Sequence, residues 1–266
     1  MDNRGISARN ILLRFINNQK KQDNNYFIAQ IMLENYDSIP QMTIYDLGEK
    51  CFVSTSAISR FVKLINFDSF TDFKSVVEKE IDISDDYSKK MLFSSNTKDA
   101  DFITEYTDSI ISNLNFVKKN IQIDQIERVI KCLYDCTDIA VFGLEFASFL
   151  GQHFQNKMAS MNKIVQVGFT KSEQLKIVDE MKNDGIALIF SMEGSYFYFS
   201  EKVVTELKKK NIKIIVFTFK NSPIIGRSAD EIVFCGEMNE NTEGRLSVLY
   251  MMELLIFYYM KCFYLD

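Results

Sequence analysis

The segment Thr43–Ile65, TIYDLGEKCFVSTSAISRFVKLI, gathers three serines, two threonines and one arginine between apolar residues. Thr43 followed three residues later by Asp46 is a capping-box-like helix start. Ile44, Leu47 and Cys51 then share one face. After Phe52 and Val53, Ser54 is a suitable N-cap for a second helix, with Ile58, Phe61, Val62 and Ile65 as its buried stripe. The opposite face shows Thr55, Ser56, Ser59, Arg60 and Lys63, with no acid between Ser54 and Ile65. Two short helices joined by a tight turn form a helix-turn-helix, whose second helix enters the DNA major groove N-terminus first. Short hydroxyl side chains let that backbone approach bases and phosphates. Arg60 suits guanine or a phosphate, and Lys63 suits the phosphate backbone. An amphipathic helix with a merely solvated hydroxyl face is the plainer alternative, but Ser and Thr are mediocre helix formers and three in one turn would weaken it. The expected DNA-binding residues are therefore Ser54, Thr55, Ser56, Ser59, Arg60 and Lys63.

The 266 residues are 47% hydrophobic and 25% charged, enough for a real core in one large or two modest domains. The net charge of −5 argues against a protein that coats nucleic acid broadly, while leaving room for a local binding surface. Five cysteines without a CxxC pair point to reduced thiols, and a single histidine, His153, gives a metal site no partners. Neither a metal nor a cofactor is expected. The polar start MDNRGISARN has no apolar stretch of the kind a secretory signal needs. Near the C-terminus, LSVLYMMELLIFYYMKCFY is interrupted by Glu253 and Lys261. Its longest apolar run, Leu254 to Met260, is far short of the ~18–20 residues of a membrane span. A buried or subunit-interface helix and a cytoplasmic location are expected.

Up to about Ile81 the apolar spacing is helical throughout, as in ILLRFI and FIAQIMLENY. The polar text DISDDYSKKMLFSSNTKDAD then reads as a linker. Beyond it, apolar strand candidates at Ile139–Phe142, Ile164–Val167, Ile186–Ser191, Ile212–Thr218 and Glu231–Phe234 alternate with helical stretches such as Phe146–Ser160 and Phe197–Lys210. Unbroken Ile/Val/Phe strands alternating with helices indicate a parallel sheet covered on both faces. The expected organisation is an all-α helix-turn-helix domain over residues 1–81, a linker over 82–105, and an α/β parallel-sheet domain over 106–266.

The stretch MTIYDLGEKCFVSTSAISRFVKLINFDSFTDFK, Met42–Lys74, resembles the N-terminal helix-turn-helix of RpiR-type transcriptional regulators, especially in VSTSAISRF and NFDSFTDFK. It departs at Phe52, where that family often has glycine in the turn, so a reshaped turn is expected. The resemblance implies a C-terminal sugar isomerase (SIS) domain, a flavodoxin-like fold that binds phosphosugars. IAVFGLEFASFLGQHF resembles its first strand, turn and helix, IALIFSMEGSYFYFSEKV its phosphate loop, and IKIIVFTFKNSPIIGRSADEIVF its later strands. The pocket positions fit poorly. In the first turn, usually G-x-G-x-S, Gly143 is kept while Glu145 and Ala147 replace the second glycine and the serine. In the S-x-S-G-x-T loop, Ser191 and Gly194 are kept while Glu193 and Tyr196 replace a serine and the threonine. The resemblance thus implies a degenerate effector site at Gly143, Glu145, Ser191, Glu193, Gly194 and Ser195. Two carboxylates facing such a cradle would repel a phosphate dianion, so a cationic or neutral ligand, or dimerisation alone, becomes an option.

Together these readings describe a DNA-binding transcriptional regulator acting as a homodimer or tetramer on double-stranded DNA with a palindromic operator. A sugar or sugar phosphate is its possible effector. The alternative is an SIS-fold sugar-phosphate isomerase or other enzyme, and a third reading is a scaffold that only holds two DNA-binding heads. No catalytic residue is expected: Ser191 has no visible His/Asp partner, and His153 falls among packing residues of a helix.

Overall fold

The computed structural model describes residues 8–19, 21–78, 99–237 and 243–264. The chain divides into two compact units, Met1–Lys90 and Met91–Asp266.

The first unit is entirely helical in its described residues. Helices α1 (Ala8–Asn18) and α2 (Asn24–Glu34) are followed by a 3-10 turn (Tyr36–Gln41), α3 (Ile44–Lys50), α4 (Thr55–Leu64) and a helix α5 over residues 70–78. Their apolar stripes meet in one core: Leu12, Ile28, Met32, Leu47, Ile58, Phe61, Val62 and Phe73 are all buried there. The edge-on contacts of Phe15 with Phe61 and of Phe67 with Phe73, centroids 5.2 and 5.1 Å apart, fix α4 and α5 in that core.

The second unit holds α6 (Asp99–Asn120), α7 (Ile123–Asp135), β1 (Ile139–Gly143), α8 (Phe146–Ser160), β2 (Gln166–Val167), α9 (Lys171–Glu180) and β3 (Ile186–Phe190). It continues with α10 (Ser195–Phe199), α11 (Glu201–Lys209), β4 (Lys213–Thr218), α12 (Pro223–Ser228), β5 (Glu231–Phe234) and α13 (Gly244–Phe263). All strand pairs are parallel, in the order β2-β1-β3-β4-β5. Alternate strand residues feed two cores. Val141, Leu188, Phe190, Ile215 and Phe217 pack on one side with Leu133, Leu150, Phe154, Met252 and Leu255 from α7, α8 and α13. Ala140, Phe142, Ile189, Ile214 and Val216 pack on the other with Val178, Phe197, Val203, Leu207 and Ile225 from α9 to α12. The sheet is therefore the middle layer of a helix–sheet–helix sandwich, which explains why its strands are apolar on both faces.

Three expectations need correction. The linker expected over 82–105 falls outside the described residues up to 98, and its last residues belong to α6, Asp99–Asn120. The spacing of Ile103, Tyr106 and Ile110 is helical and continues along α6. The helical stretch expected over Phe197–Lys210 is two helices broken at Ser200, which has φ −119° and ψ 29° and closes α10 as α11 begins. The strand expected at Ile164–Val167 shrinks to Gln166–Val167, an edge strand paired on one side only.

Helix α13 is mostly apolar, and by length and composition alone it could cross a membrane. Here eight of its residues, among them Val248, Met251, Met252, Leu255 and Tyr259, are buried. Glu253, near its middle, meets Nε2 of His153 on α8 at 2.5 Å. The histidine thus ties two helices together, in keeping with a packing role.

Candidate nucleic-acid interface and effector cradle

The α3–turn–α4 unit is built by its caps. The Thr43 hydroxyl accepts from the Asp46 N–H at 3.2 Å, and the Asp46 carboxylate accepts from the Thr43 N–H at 2.7 Å. That backbone bond, joined by a second at 2.7 Å from the Thr43 hydroxyl, holds the Asp46 carboxyl below its ordinary pKa, so the capping box is charged at neutral pH. The Ser54 hydroxyl accepts from the Ala57 N–H at 3.3 Å and starts α4. Gly48 lets the two helices close up, because a Cβ there would meet the Val53 carbonyl oxygen at 3.0 Å.

Ile58, Phe61, Val62 and Ile65 are buried as the periodicity requires. On the other face Ser54, Ser56, Arg60 and Lys63 are exposed, and Thr55 and Ser59 are half-buried. The structure therefore brings all six expected DNA-binding residues onto the first three turns of α4 and its cap. Ser59 and Lys63 also line a cleft of about 470 Å³ whose other walls are mixed, with Lys74 and Asp68 beside the apolar Met42, Ile44 and Phe70.

Phe52 corrects the expected reshaping of the turn. It takes the left-handed conformation itself, at φ 54°, with the residue 94% exposed. Three of the other positive-φ residues outside glycine are Asn66, Asn162 and Asn211, a type that tolerates this region. Phe52 and Glu145, at φ 43°, are not of that type. The turn geometry is thus imposed by the packing of α3 and α4, and the Phe52 N–H donates to the Glu49 carbonyl at 3.1 Å to close it.

The expected effector residues sit on the carboxyl ends of β1 and β3. In this strand order that is the switch point, where loops diverge to opposite sides of the sheet and where folds of this kind bind ligands. Gly143 ends β1, and a Cβ on it would come within 2.4 Å of the Ala147 Cβ. Glu145 is exposed at the start of α8. Ser191 is buried, Glu193 and Ser195 are exposed, and Gly194 is left-handed at φ 87°.

Two residues outside the expected set of effector residues organise the site. Tyr196 is fully buried, and its hydroxyl donates to Gln174 Oε1 at 2.7 Å. The Gln174 amide nitrogen donates at 3.0 Å to the carbonyls of both Gly143 and Gly168. The Ser148 hydroxyl also donates to the Gly143 carbonyl, at 2.9 Å, and the Ser191 hydroxyl accepts from the Tyr196 N–H at 3.1 Å. The hydroxyls of Ser148 and Tyr196 thus donate within the protein, while that of Ser191 accepts a backbone N–H. Burial raises the pKa of the Tyr196 phenol, which keeps it a donor. The one signal available in the sequence was Tyr196 itself, an aromatic residue standing where the resembled loop has threonine.

Residues 10–84 match the helix-turn-helix domain of the rpiR family, and residues 132–258 match the SIS domain. The chain thus carries a helix-turn-helix domain of the rpiR family and an SIS domain. Its fold is shared by solved structures of low sequence identity. The Vibrio vulnificus NanR protein complexed with ManNAc-6P is 14% identical with a TM-score of 0.53, covering 96% of this chain and 92% of that one. The sugar isomerase domain of an RpiR transcription factor from Sphaerobacter thermophilus is 14% identical, with a TM-score of 0.51, covering 59% of this chain and 89% of that one. A protein from Listeria monocytogenes described as a sugar-phosphate isomerase is 14% identical, with a TM-score of 0.51, covering 61% of this chain and 88% of that one. Among proteins of curated function none matches.

Two substitutions test how the chain holds its sites. Phe52→Gly removes a strained conformation and should raise stability by about 1 kcal/mol in urea denaturation. Tyr196→Phe leaves the buried Gln174 oxygen unpaired and should lower stability by ~1–3 kcal/mol in the same assay.

Proposed function

We propose that this RpiR-type chain is a sequence-specific DNA-binding transcriptional regulator whose SIS domain dimerises and senses a sugar-derived ligand. The observation that carries the reading is α4: a helix capped at Ser54, acid-free on its exposed face, with Arg60 and Lys63 one turn apart and short hydroxyls around them. In this reading Arg60 contacts a base edge or phosphate, Lys63 a phosphate, and Ser54, Thr55, Ser56 and Ser59 let the helix seat deeply. Two heads on one dimer read a palindromic operator, because protein symmetry is mirrored in the site. Exposed Ile103 and Ile111 on α6 and Leu246 and Phe257 on α13 support self-association of the SIS domain. The regulator works in the cytoplasm and catalyses no reaction.

The effector enters at the switch-point crevice between Gly143–Glu145 and Ser191–Ser195. The NanR protein of similar fold is complexed with ManNAc-6P, which makes sugar phosphates the first class to test. In this chain the exposed Glu145 and Glu193 disfavour an anionic group. The ligand is therefore a sugar derivative whose charge those carboxylates tolerate. Hexose and amino-sugar phosphates should bind more weakly than micromolar in calorimetry, and Glu193→Ser should tighten them about tenfold, or ~1.4 kcal/mol.

DNA binding is the deciding experiment. Full-length protein is titrated with DNA from upstream of its own gene and its neighbours, against random competitor, at two salt concentrations. Preferential, salt-sensitive binding is expected, with Arg60→Ala abolishing the preference. Lys63→Gln should weaken all sequences alike and lower the salt slope by about 1. If no fragment is preferred and Arg60→Ala changes nothing, the regulator reading fails, and turnover assays on sugar phosphates address the enzyme alternative.

A further inference from the structure

At the end of the sheet opposite the effector crevice, two thiols lie one helical turn apart, and each has a lysine nearby. Cys132 is in the last turns of α7, and Lys213, the first residue of β4, donates its ammonium to the Cys132 sulfur at 3.1 Å. Cys136 caps the same helix in extended conformation, at φ −89° and ψ 137°. Its sulfur lies 3.3 Å from the Asp138 carbonyl and 3.6 Å from the Asp184 carbonyl. Lys163 donates to the neighbouring Tyr134 carbonyl at 2.6 Å. Burial lowers the pKa of that ammonium, while the charges of Cys136 and Asp135 act to raise it. Both thiols are partly accessible, whereas Cys51 and Cys235 are buried. Burial pushes the Cys51 thiol up to about 11 and raises that of Cys235 further, so these two stay protonated and inert.

The chemistry of this corner differs from that of a packing cysteine. A thiolate is the reactive form of sulfur, and an adjacent ammonium that donates to it favours that form. Cys262 is exposed on α13 and provides an internal reference of ordinary surface reactivity. The Cys136 N–H still donates to the Cys132 carbonyl at 3.0 Å, so the two residues keep helical i,i+4 spacing. That spacing places their Cβ atoms ~5–6 Å apart, somewhat beyond disulfide reach, but Cys136 is already outside the helix and fraying of one turn closes the gap.

We propose that Cys132 and Cys136 are a peroxide-responsive dithiol, with Lys213 activating Cys132. In the first step the Cys132 thiolate attacks one oxygen of a hydroperoxide. The O–O bond breaks, an S–O bond forms, and the departing oxygen takes a proton to leave as water or an alcohol, giving a sulfenic acid. In the second step the Cys136 sulfur attacks the Cys132 sulfur, the S–O bond breaks, and the hydroxyl leaves with the thiol proton as water. Overall two thiols and one peroxide give one disulfide and two molecules of water, or water and an alcohol. Because the disulfide strains the end of α7, it is easily reduced by cellular thiols, which makes the change reversible.

The test treats the full-length protein with limiting hydrogen peroxide, quenches with an alkylating reagent, and maps each cysteine by mass spectrometry. The expected result is a Cys132–Cys136 disulfide formed before Cys262 is oxidised, slowed about tenfold in Lys213→Met. Cys136→Ser should instead accumulate a Cys132 sulfenic acid, trapped as its dimedone adduct. Oxidation of Cys262 ahead of Cys132, an unchanged rate in Lys213→Met, or a Cys132 sulfenic acid in the native chain that never passes to Cys136 would each overturn the proposal. Should Lys213→Met not fold, competitive alkylation of the native protein decides: Cys132 leads Cys262 if the activation is real and trails it if not.

Discussion

The Gln174 side chain is the tie on which the carboxyl edge of the sheet depends. Its amide nitrogen reaches the last residue of β1 and the loop ahead of α9, and its oxygen takes the Tyr196 hydroxyl from the start of α10. Three loops that would otherwise end independently are joined through one buried amide. Buried polar groups of this kind are stabilising only when satisfied, so each partner constrains the others. The same tie turns the donors of Gln174 and Tyr196 inward, while Glu145, Glu193 and Ser195 are the exposed side chains of these loops.

Most of the architecture was legible in the sequence because it rests on local rules. The apolar runs at Ile139, Ile186 and Ile212 begin within one residue of the strands. Thr43 and Ser54 mark helix starts by their own chemistry, and the stripe of Ile58, Phe61, Val62 and Ile65 follows from helical periodicity. What stayed hidden depends on residues distant in sequence. Tyr196 and Gln174 are 22 positions apart, and nothing nearby in the chain announces that one will accept from the other. The break at Ser200 was masked by an unbroken helical pattern. The left-handed Phe52 runs against local preference altogether, and only the packing of α3 against α4 accounts for it.

The two units also divide the work by composition. Residues 1–80 carry as many acids as bases, and the excess negative charge of the whole chain lies in the remainder. A neutral head with one basic helix face is suited to reading DNA at a chosen spot, since little of its surface attracts phosphate indiscriminately. An acidic second unit has no attraction of its own for the duplex. Specificity in such a molecule comes from where the few cations are, with the net charge discouraging other contacts.

The contact between His153 and Glu253 has a consequence for spectroscopy. The chain contains one histidine, and it lies at the junction of α8 with α13. Its imidazole protons therefore give resonances that need no assignment by mutagenesis. A change in the packing of the C-terminal helix, whether caused by ligand, by self-association or by DNA, would be read directly from one pair of peaks in the unlabelled protein.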